Sequence, residues 1–142
     1  MAAGLIVSMK VKRDKIINSK KVDIRSRAIQ KNIEYNLDDW NYSWPSKDPL
    51  GFILKCNKDK AKDDSVSIDR IDNSKGYTIE NCQIVSNRYN KIKNDATPLE
   101  LLKIGIHSLS LFPLEIQKGI INEIKEYQYY KEVVENINEN IS

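Results

Sequence analysis

The sequence predicts an α+β fold in a single compact domain, with a small β-hairpin and a following helix flanked by helices on both sides. Three observations support this prediction. A turn cluster at residues 72–76 separates two short segments rich in β-branched residues. A basic segment without Pro or Gly precedes them, and residues 97–100 (TPLE) have the pattern of a helix capping box. The length of 142 residues suits one ordinary domain.

Residues 1–35 are expected to form a basic helical N-terminal extension. The segment from Met9 to Glu34 is typical of an amphipathic helix, or of a broken pair of helices, because apolar residues recur at near-helical intervals. These residues are Val11, Ile16, Ile17, Ile24, Ala28 and Ile33. Residues 1–35 hold nine Lys/Arg against three Asp/Glu, a net charge of +6. Such a segment favours contact with nucleic-acid phosphates, although it is also typical of a solvated helix face.

Residues 36–97 are expected to contain the core. The stretch SVSIDRI, residues 65–71, predicts a strand, and DNSKG, residues 72–76, predicts a turn in which Gly76 can take a positive φ. A second strand is expected around Gln83 to Val85, after which Ser86 can cap a helix over residues 87–94. Trp40 and Trp44 are expected in the core or at its edge. The net charge of this part is zero, with ten basic and ten acidic residues.

Residues 98–142 are expected to form C-terminal helices. One helix should begin at Pro98, and a further helix should span about Leu114 to Asn136. The side of that second helix expected to be buried carries Leu114, Ile116, Ile120, Ile121, Ile124, Tyr127, Tyr130 and Val134. His107, the only histidine of the chain, falls on the first of these helices, where we expect a structural role.

The composition also weighs against several classes of protein. No apolar run approaches the roughly 20 residues that span a bilayer, and the first residues lack the features of a signal peptide. We therefore expect a cytoplasmic protein without a membrane partner. Cys56 and Cys82 could form one disulfide, but we expect both to be small buried hydrophobic residues. Two cysteines and one histidine cannot supply the four ligands of a closed structural zinc site, so we expect no zinc.

One pair of side chains is a candidate metal site. Asp69 on the first predicted strand and Asn90 on the following helix are 21 positions apart, and a hairpin with a helix behind it can bring their oxygens together. Mg²⁺, or Mn²⁺ in its place, suits such a sparse oxygen set because it keeps several waters and also binds substrate phosphate. A cation there would stabilise the negative charge that develops when a phosphodiester bond is cut.

The stretches SIDRIDNSKGYTIEN (67–81) and IVSNRYNKIKNDAT (84–97) resemble the HNH endonucleases of the ββα-metal (His-Me finger) superfamily, especially the short versions encoded by phages and other mobile elements. In that family an Asp-His pair ends the first strand, an Asn follows the hairpin loop, and a His or Asn lies on the helix ahead of a Lys. The resemblance implies that Asp69 and Asn90 bind the metal and that Asn81 braces the loop. It extends over RSRAIQKNIEYNLDDW (25–40) and KNDATPLELL (93–102).

This chain departs from the family pattern at Arg70, which stands where the family has the histidine that activates water. A guanidinium is not deprotonated near neutral pH, so Arg70 cannot accept that proton, although it can grip a phosphate. The proton would then pass to bulk water, to another metal-bound water or to the carboxylate of Asp72. The candidate catalytic residues are therefore Arg70, Asp72 and Asn81.

The resemblance implies a metal-dependent DNA endonuclease with a ββα-metal core, acting in the cytoplasm of a host cell if a phage encodes it. Double-stranded DNA is the expected partner. The candidate DNA-binding residues are Arg25, Arg27, Lys75, Arg88, Lys91 and Lys93. One alternative is a catalytically inactive HNH-like module that binds DNA without cutting it. A weaker alternative is an interaction protein that does not bind nucleic acid and is built from the C-terminal helices. Residues 98–142 are acidic, with four basic and seven acidic residues.

Overall fold

The computed structural model describes residues 2–57, 59–126, 132 and 136 and has the mixed helix and strand content of an α+β fold, as predicted. Its elements in chain order are α1 (Ala2–Gln30), β1 (Tyr35–Asn36), β2 (Val66–Arg70), β3 (Tyr77–Thr78), β4 (Cys82–Ser86), α2 (Asn87–Lys93), α3 (Pro98–Ser110) and α4 (Leu114–Glu126). The chain divides into two compact units, Met1–Pro98 and Leu99–Ser142.

Helix α1 packs into the first unit. Ile17, Ile24 and Ala28 are buried along one stripe of the helix. The helix ends because Asn32 adopts a positive φ of 52° and the N–H of Ile33 donates to the carbonyl oxygen of Ala28 at 2.8 Å. This is the Schellman arrangement, in which Asn tolerates the left-handed conformation. The helix starts earlier and stops earlier than predicted, and Val11, expected on its apolar side, is exposed.

The hairpin consists of β2 and β4, which pair antiparallel from Val66 opposite Ser86 to Arg70 opposite Cys82. Both predicted strands are confirmed, and the predicted cap is present because the N–H of Tyr89 donates to Ser86 Oγ at 3.0 Å. Strand β3 pairs in parallel with β1, where Tyr35 faces Tyr77. The buried apolar core of the first unit joins α1 to the hairpin and to the segment before it: Ile17, Ile24, Leu37, Leu54, Val66, Ile68, Cys82 and Ile84.

Gly76 lies in the hairpin loop for a different reason from the one predicted. Among the described residues, the only glycine with a positive φ is Gly51, so Gly76 does not need that freedom. A Cβ atom at Gly76 would lie 2.6 Å from Glu34 Cβ and 2.8 Å from the Glu34 carbonyl oxygen. The N–H of Tyr77 donates to that same oxygen at 2.8 Å. Gly76 thus permits the close approach of the loop to β1.

The aromatic segment after β1 lies at the edge of the core, as predicted for Trp40 and Trp44. Both are partly buried and pack against the core, and the rings of Trp40 and Tyr42 meet edge to face at 6.1 Å. The Arg13 guanidinium lies 4.7 Å from the centre of the Trp44 ring, so α1 also covers this segment.

Both cysteines are free, as expected, but only one of them is buried. Cys82 lies in the core, and burial raises the pKa of its thiol to about 12. Cys56 is partly buried, which corrects the expectation for that residue.

The second unit is described through α3 and α4, and α3 begins at Pro98 as predicted. Neither helix buries a residue, so the expectation of a buried side on α4 is wrong: Leu114, Ile116, Ile121 and Ile124 are exposed. The expected continuation of α4 beyond Glu126, with Tyr127, Tyr130 and Val134, lies outside the described residues. His107 is exposed on α3. Within the described ranges, no helix has both the length and the apolar character that crossing a membrane requires.

Candidate functional site

A polar pocket of about 410 Å³ lies between α1, β2 and α2. Helix α1 reaches it because Ile17 and Ile24 anchor that helix in the core beside the hairpin. The pocket lining includes Lys20 and Arg27 from α1, Ser67, Asp69 and Arg70 from β2, and Asn87 and Asn90 from α2. The fold thus brings Asp69, Arg70, Asn90 and Arg27, four of the predicted site residues, to one pocket.

Asp69 is held firmly at this pocket. Only 3% of the residue is exposed, its Oδ2 accepts a hydrogen bond from Gln83 Nε2 at 3.0 Å, and its Oδ1 accepts one from Lys93 Nζ at 3.1 Å. Gln83 is the residue opposite Asp69 in the hairpin register, so the sheet itself places this donor. A carboxylate offers about four acceptor positions, and these two contacts use half of them.

Lys93 does not occupy the exposed position expected of a phosphate-binding lysine. Only 2% of it is exposed, and Nζ donates to Asp69 Oδ1 at 3.1 Å, to the Arg70 carbonyl oxygen at 2.6 Å and to Asn73 Oδ1 at 3.2 Å. All three ammonium hydrogens are therefore engaged. Its assignment as a DNA-binding residue is corrected, because Lys93 instead matches the buried charge of Asp69.

Asn90 lies on α2 beside the first strand of the hairpin. Its Nδ2 donates to Ser67 Oγ at 2.9 Å, so the amide nitrogen is committed to β2 while the amide oxygen keeps its acceptor capacity. Asn90 and Asp69 line the same pocket. One carboxylate and one amide oxygen fit Mg²⁺, which takes few protein ligands and keeps several waters. Within the described part of the chain, no cluster of three or more His, Cys, Asp or Glu residues offers a richer site.

Arg70 is fixed at the edge of the pocket by two contacts. Its Nη1 donates to the Lys75 carbonyl oxygen at 2.8 Å, and its guanidinium lies 4.8 Å from the centre of the Tyr77 ring. A cation over an aromatic face is attracted by the ring quadrupole. The remaining guanidinium N–H groups leave Arg70 able to donate to a phosphate, and the described lining of the pocket contains no histidine that could accept a proton.

Asp72 belongs to the hairpin loop and is absent from the lining of the pocket. Its Oδ1 accepts from Ser74 N at 2.9 Å and from Ser74 Oγ at 2.6 Å, and its Oδ2 lies 4.0 Å from Lys75 Nζ. The hydrogen bond from the Ser74 hydroxyl lowers the pKa of this carboxyl below its ordinary value, with further lowering from the Ser74 N–H. These contacts hold Asp72 in the turn and make it a weaker proton acceptor, which weighs against it as the base.

Asn81 braces the same loop, the role implied by the resemblance. Its Oδ1 accepts from Asp72 N at 3.0 Å, and its Nδ2 donates to the carbonyl oxygens of Asp72 and Gly76, both at 2.9 Å. The residue is buried and does not line the pocket. Asn81 thus shapes the loop that carries Arg70 and Asp72, and contact of Asn81 with the reacting phosphate is not supported by this position.

The other predicted basic residues are spread over the surface. Arg88 and Lys91 are exposed on α2, and the exposed Lys75 carries its ammonium beside Asp72. Arg27 lines the pocket, but Arg25 points elsewhere: its guanidinium lies 3.9 Å from Asp38 Oδ2 and 5.9 Å from the centre of the Tyr35 ring. Residues 25 and 27 face different sides of a helix, because two residues correspond to more than half a turn.

Sequence reasoning did not single out three residues that matter here. Lys20 and Tyr77 line the pocket, and burial lowers the pKa of the Lys20 ammonium below its ordinary value. Asp48 is fully buried, and its carboxylate accepts from the N–H groups of Leu50, Phe52 and Ser86 at 2.9–3.0 Å. It ties the loop before β2 to the start of α2. Its one sequence signal is an Asp before a proline in the turn-forming stretch KDPLG.

Comparisons of this chain with protein-family models, with curated proteins and with solved structures gave no match.

Proposed function

We propose that this protein is a metal-dependent DNA endonuclease with an HNH-like ββα-metal core. The observation that carries the proposal is that Asp69, Arg70 and Asn90, which come from a strand and from the helix after the hairpin, line one polar pocket. Two further features support it. The Asp-Arg pair ends β2, and Asn81 braces the loop through three side-chain hydrogen bonds.

In this proposal Asp69 and Asn90 hold a Mg²⁺ or Mn²⁺ ion, which supplies charge stabilisation at the phosphate that is cut. Arg70 donates to a non-bridging phosphate oxygen from a position already fixed by the Lys75 carbonyl oxygen and the Tyr77 ring. A preorganised cation is effective because it does not have to reorient as negative charge develops. The proton of the attacking water leaves to solvent, since Arg70 cannot take it and Asp72 is turned into the loop.

A second candidate function is a DNA-binding module that does not cut. One observation favours it: Asp69, the carboxylate proposed to bind the metal, is almost completely buried and already paired with Lys93. An ammonium on Asp69 competes with a metal ion for the same negative charge. The basic lining would then hold a phosphate without hydrolysing it.

The test is incubation of the purified protein with supercoiled plasmid and Mg²⁺ or Mn²⁺, beside Asp69→Ala and Asn90→Ala proteins. We expect nicked or linear plasmid with the wild type and at least about a 100-fold lower rate with either variant, the usual order for removing a group that stabilises transition-state charge. Glu80→Gln, an exposed change between β3 and β4 and outside the pocket, serves as the control and should keep the wild-type rate.

Two outcomes decide between the candidates. Equal cleavage by the wild type and Asp69→Ala would show that the activity comes from elsewhere, and the endonuclease proposal would be withdrawn. DNA binding that weakens steeply with salt, without cleavage in either metal, would establish the binding module instead.

A further inference from the structure

We infer that the pocket between α1, β2 and α2 accepts an unpaired stretch of DNA strand, so that the protein prefers single strands, junctions and the transiently unpaired stretches of supercoiled plasmid to relaxed continuous duplex. This inference rests on the proposed function and specifies its substrate. Asp69 lines the pocket, and only 3% of this residue is exposed. A phosphate that reacts beside Asp69 must therefore enter the pocket.

The wall formed by α1 limits what can enter. Lys20 and Arg27 line the pocket from α1, and Ser67 to Arg70 line it from β2. The buried stripe of Ile17, Ile24 and Ala28 fixes α1 against the core, so this wall is part of the folded unit. A duplex presents two strands joined across a broad cylinder, whereas a pocket of about 410 Å³ matches the size of a site for a small organic ligand. A single strand that enters the pocket without its complement is narrow enough for a pocket of this size.

The charges of the lining suit a sugar-phosphate backbone on both sides. Arg70 stands on the β2 side, and Lys20 and Arg27 stand on the α1 side. Two carboxylates also line the pocket. The charge of Asp69 is matched by Lys93, so the three cations face only the carboxylate of Asp23 on α1, and the lining stays net positive. Lys20 is half-buried, so the fold holds this cation partly away from water, and this burial lowers the pKa of its ammonium. A phosphate group would compensate it.

The pocket also offers a surface for an unpaired base. The Arg70 guanidinium lies 4.8 Å from the centre of the Tyr77 ring, and both residues line the pocket. An unpaired base can stack on an aromatic ring or on a guanidinium plane. A base inside a duplex is already stacked between its neighbours and cannot do so. A basic pocket with such a stacked pair has the two components by which proteins bind single strands without reading sequence.

The test is fluorescence anisotropy with one labelled oligonucleotide of mixed sequence, used alone and annealed to its complement, in EDTA at fixed salt so that no cleavage occurs. We expect the single strand to bind at least about 10-fold more tightly than the blunt duplex, the order given by one or two stacked bases. Tyr77→Leu should reduce this preference about 5-fold or more, whereas Tyr77→Phe, which keeps the ring, should retain it.

A second pair of variants tests the α1 wall without touching the core. Lys20→Gln should weaken single-strand binding about 3- to 10-fold through the loss of one phosphate contact, and Lys15→Gln, an exposed change on the same helix outside this pocket, should stay within about 2-fold. Circular dichroism of every variant confirms the fold. Equal or tighter binding of blunt duplex, or an unchanged affinity in Lys20→Gln, would overturn this inference and leave the proposed function standing. Absence of binding to both DNA forms would overturn both.

Discussion

Lys93 Nζ lies 3.1 Å from Asp69 Oδ1, and both side chains are almost completely withdrawn from water. The pair joins α2 to β2, and Lys93 also reaches the carbonyl oxygen of Arg70, the residue next to Asp69. The charge at the candidate site is thus neutralised from within the hairpin–helix unit. Because neither charge is solvated by water, each side chain needs the other to compensate its charge.

Replacing Lys93 by Met should therefore destabilise the first unit by about 3–5 kcal/mol, the usual cost of leaving a buried charge without its partner. Urea denaturation followed by tryptophan fluorescence measures this, since Trp40 and Trp44 pack against the core. Lys91→Met, on the exposed side of α2, is the matched control and should change the free energy of unfolding by no more than about 0.5 kcal/mol. Equal effects of the two changes would contradict the account of the pair.

The hairpin loop should show a specific dependence on pH at Asp72. The Ser74 hydroxyl lowers the pKa of this carboxyl, followed by the Ser74 N–H and nearby cations. Because the folded pKa lies below the unfolded one, the charged Asp72 stabilises the loop above the ordinary aspartate pKa, and this contribution is lost as the pH falls through the folded pKa. Ser74→Ala should raise the pKa of Asp72, measured by carboxyl NMR titration. A titration midpoint unchanged in that variant would refute the assigned cause.

Gly76 should tolerate no side chain. A Cβ atom there would meet Glu34 Cβ at 2.6 Å and the Glu34 carbonyl oxygen at 2.8 Å, and that carbonyl already accepts from Tyr77 N. Gly76→Ala should cost about 1–3 kcal/mol through this overpacking and weaken the pairing of β1 with β3. Gly4→Ala, where a Cβ would meet nothing within 4 Å, should leave the stability unchanged or slightly raised. Thermal unfolding of both variants compares the two positions. A Gly76→Ala protein as stable as the wild type would show that the loop can move away from Glu34.

Local signals were enough to predict the hairpin, its turn and the helix after it. The turn cluster, the alternating apolar residues and the Ser86 cap each act over a few neighbouring residues. They can therefore be recognised in the sequence without knowledge of the rest of the fold. The same signals placed Asp69 at the end of a strand and Asn90 on the following helix. The α+β class followed from this order of elements.

Tertiary packing decided what the sequence did not predict. In the sequence, Lys93 cannot be distinguished from Lys91, which is exposed on the same short polar helix. Lys93 is buried because its ammonium donates to the carboxylate of Asp69 and to two further oxygens. Lys20 is one of many lysines on α1, and only the packing of Ile17 and Ile24 turns it towards the pocket. Similarly, the close contact with Glu34, 42 positions away in the chain, explains Gly76 better than turn chemistry does.

Arg70 provides the sharpest test of the proposed chemistry. Arg70→Ala should weaken DNA binding and lower the cleavage rate together, because a charge-assisted contact to phosphate is lost both before and during the reaction. The Lys75 carbonyl oxygen and the Tyr77 ring would lose a partner, so the fold of this variant is checked by circular dichroism.

Arg70→His should instead keep or raise metal-dependent cleavage, because an imidazole beside Asp69 is a group that can accept a proton from water near neutral pH. Its cleavage rate should rise between about pH 6 and pH 7 as the imidazole loses its proton, a step that the guanidinium of the wild type cannot produce at that position. Rates on plasmid DNA measured across this pH range for wild type, Arg70→His and Arg70→Ala separate the two roles. If Arg70→His binds DNA but cuts no better than Arg70→Ala at any pH, then this position has no access to the attacking water, and Arg70 acts on the phosphate alone.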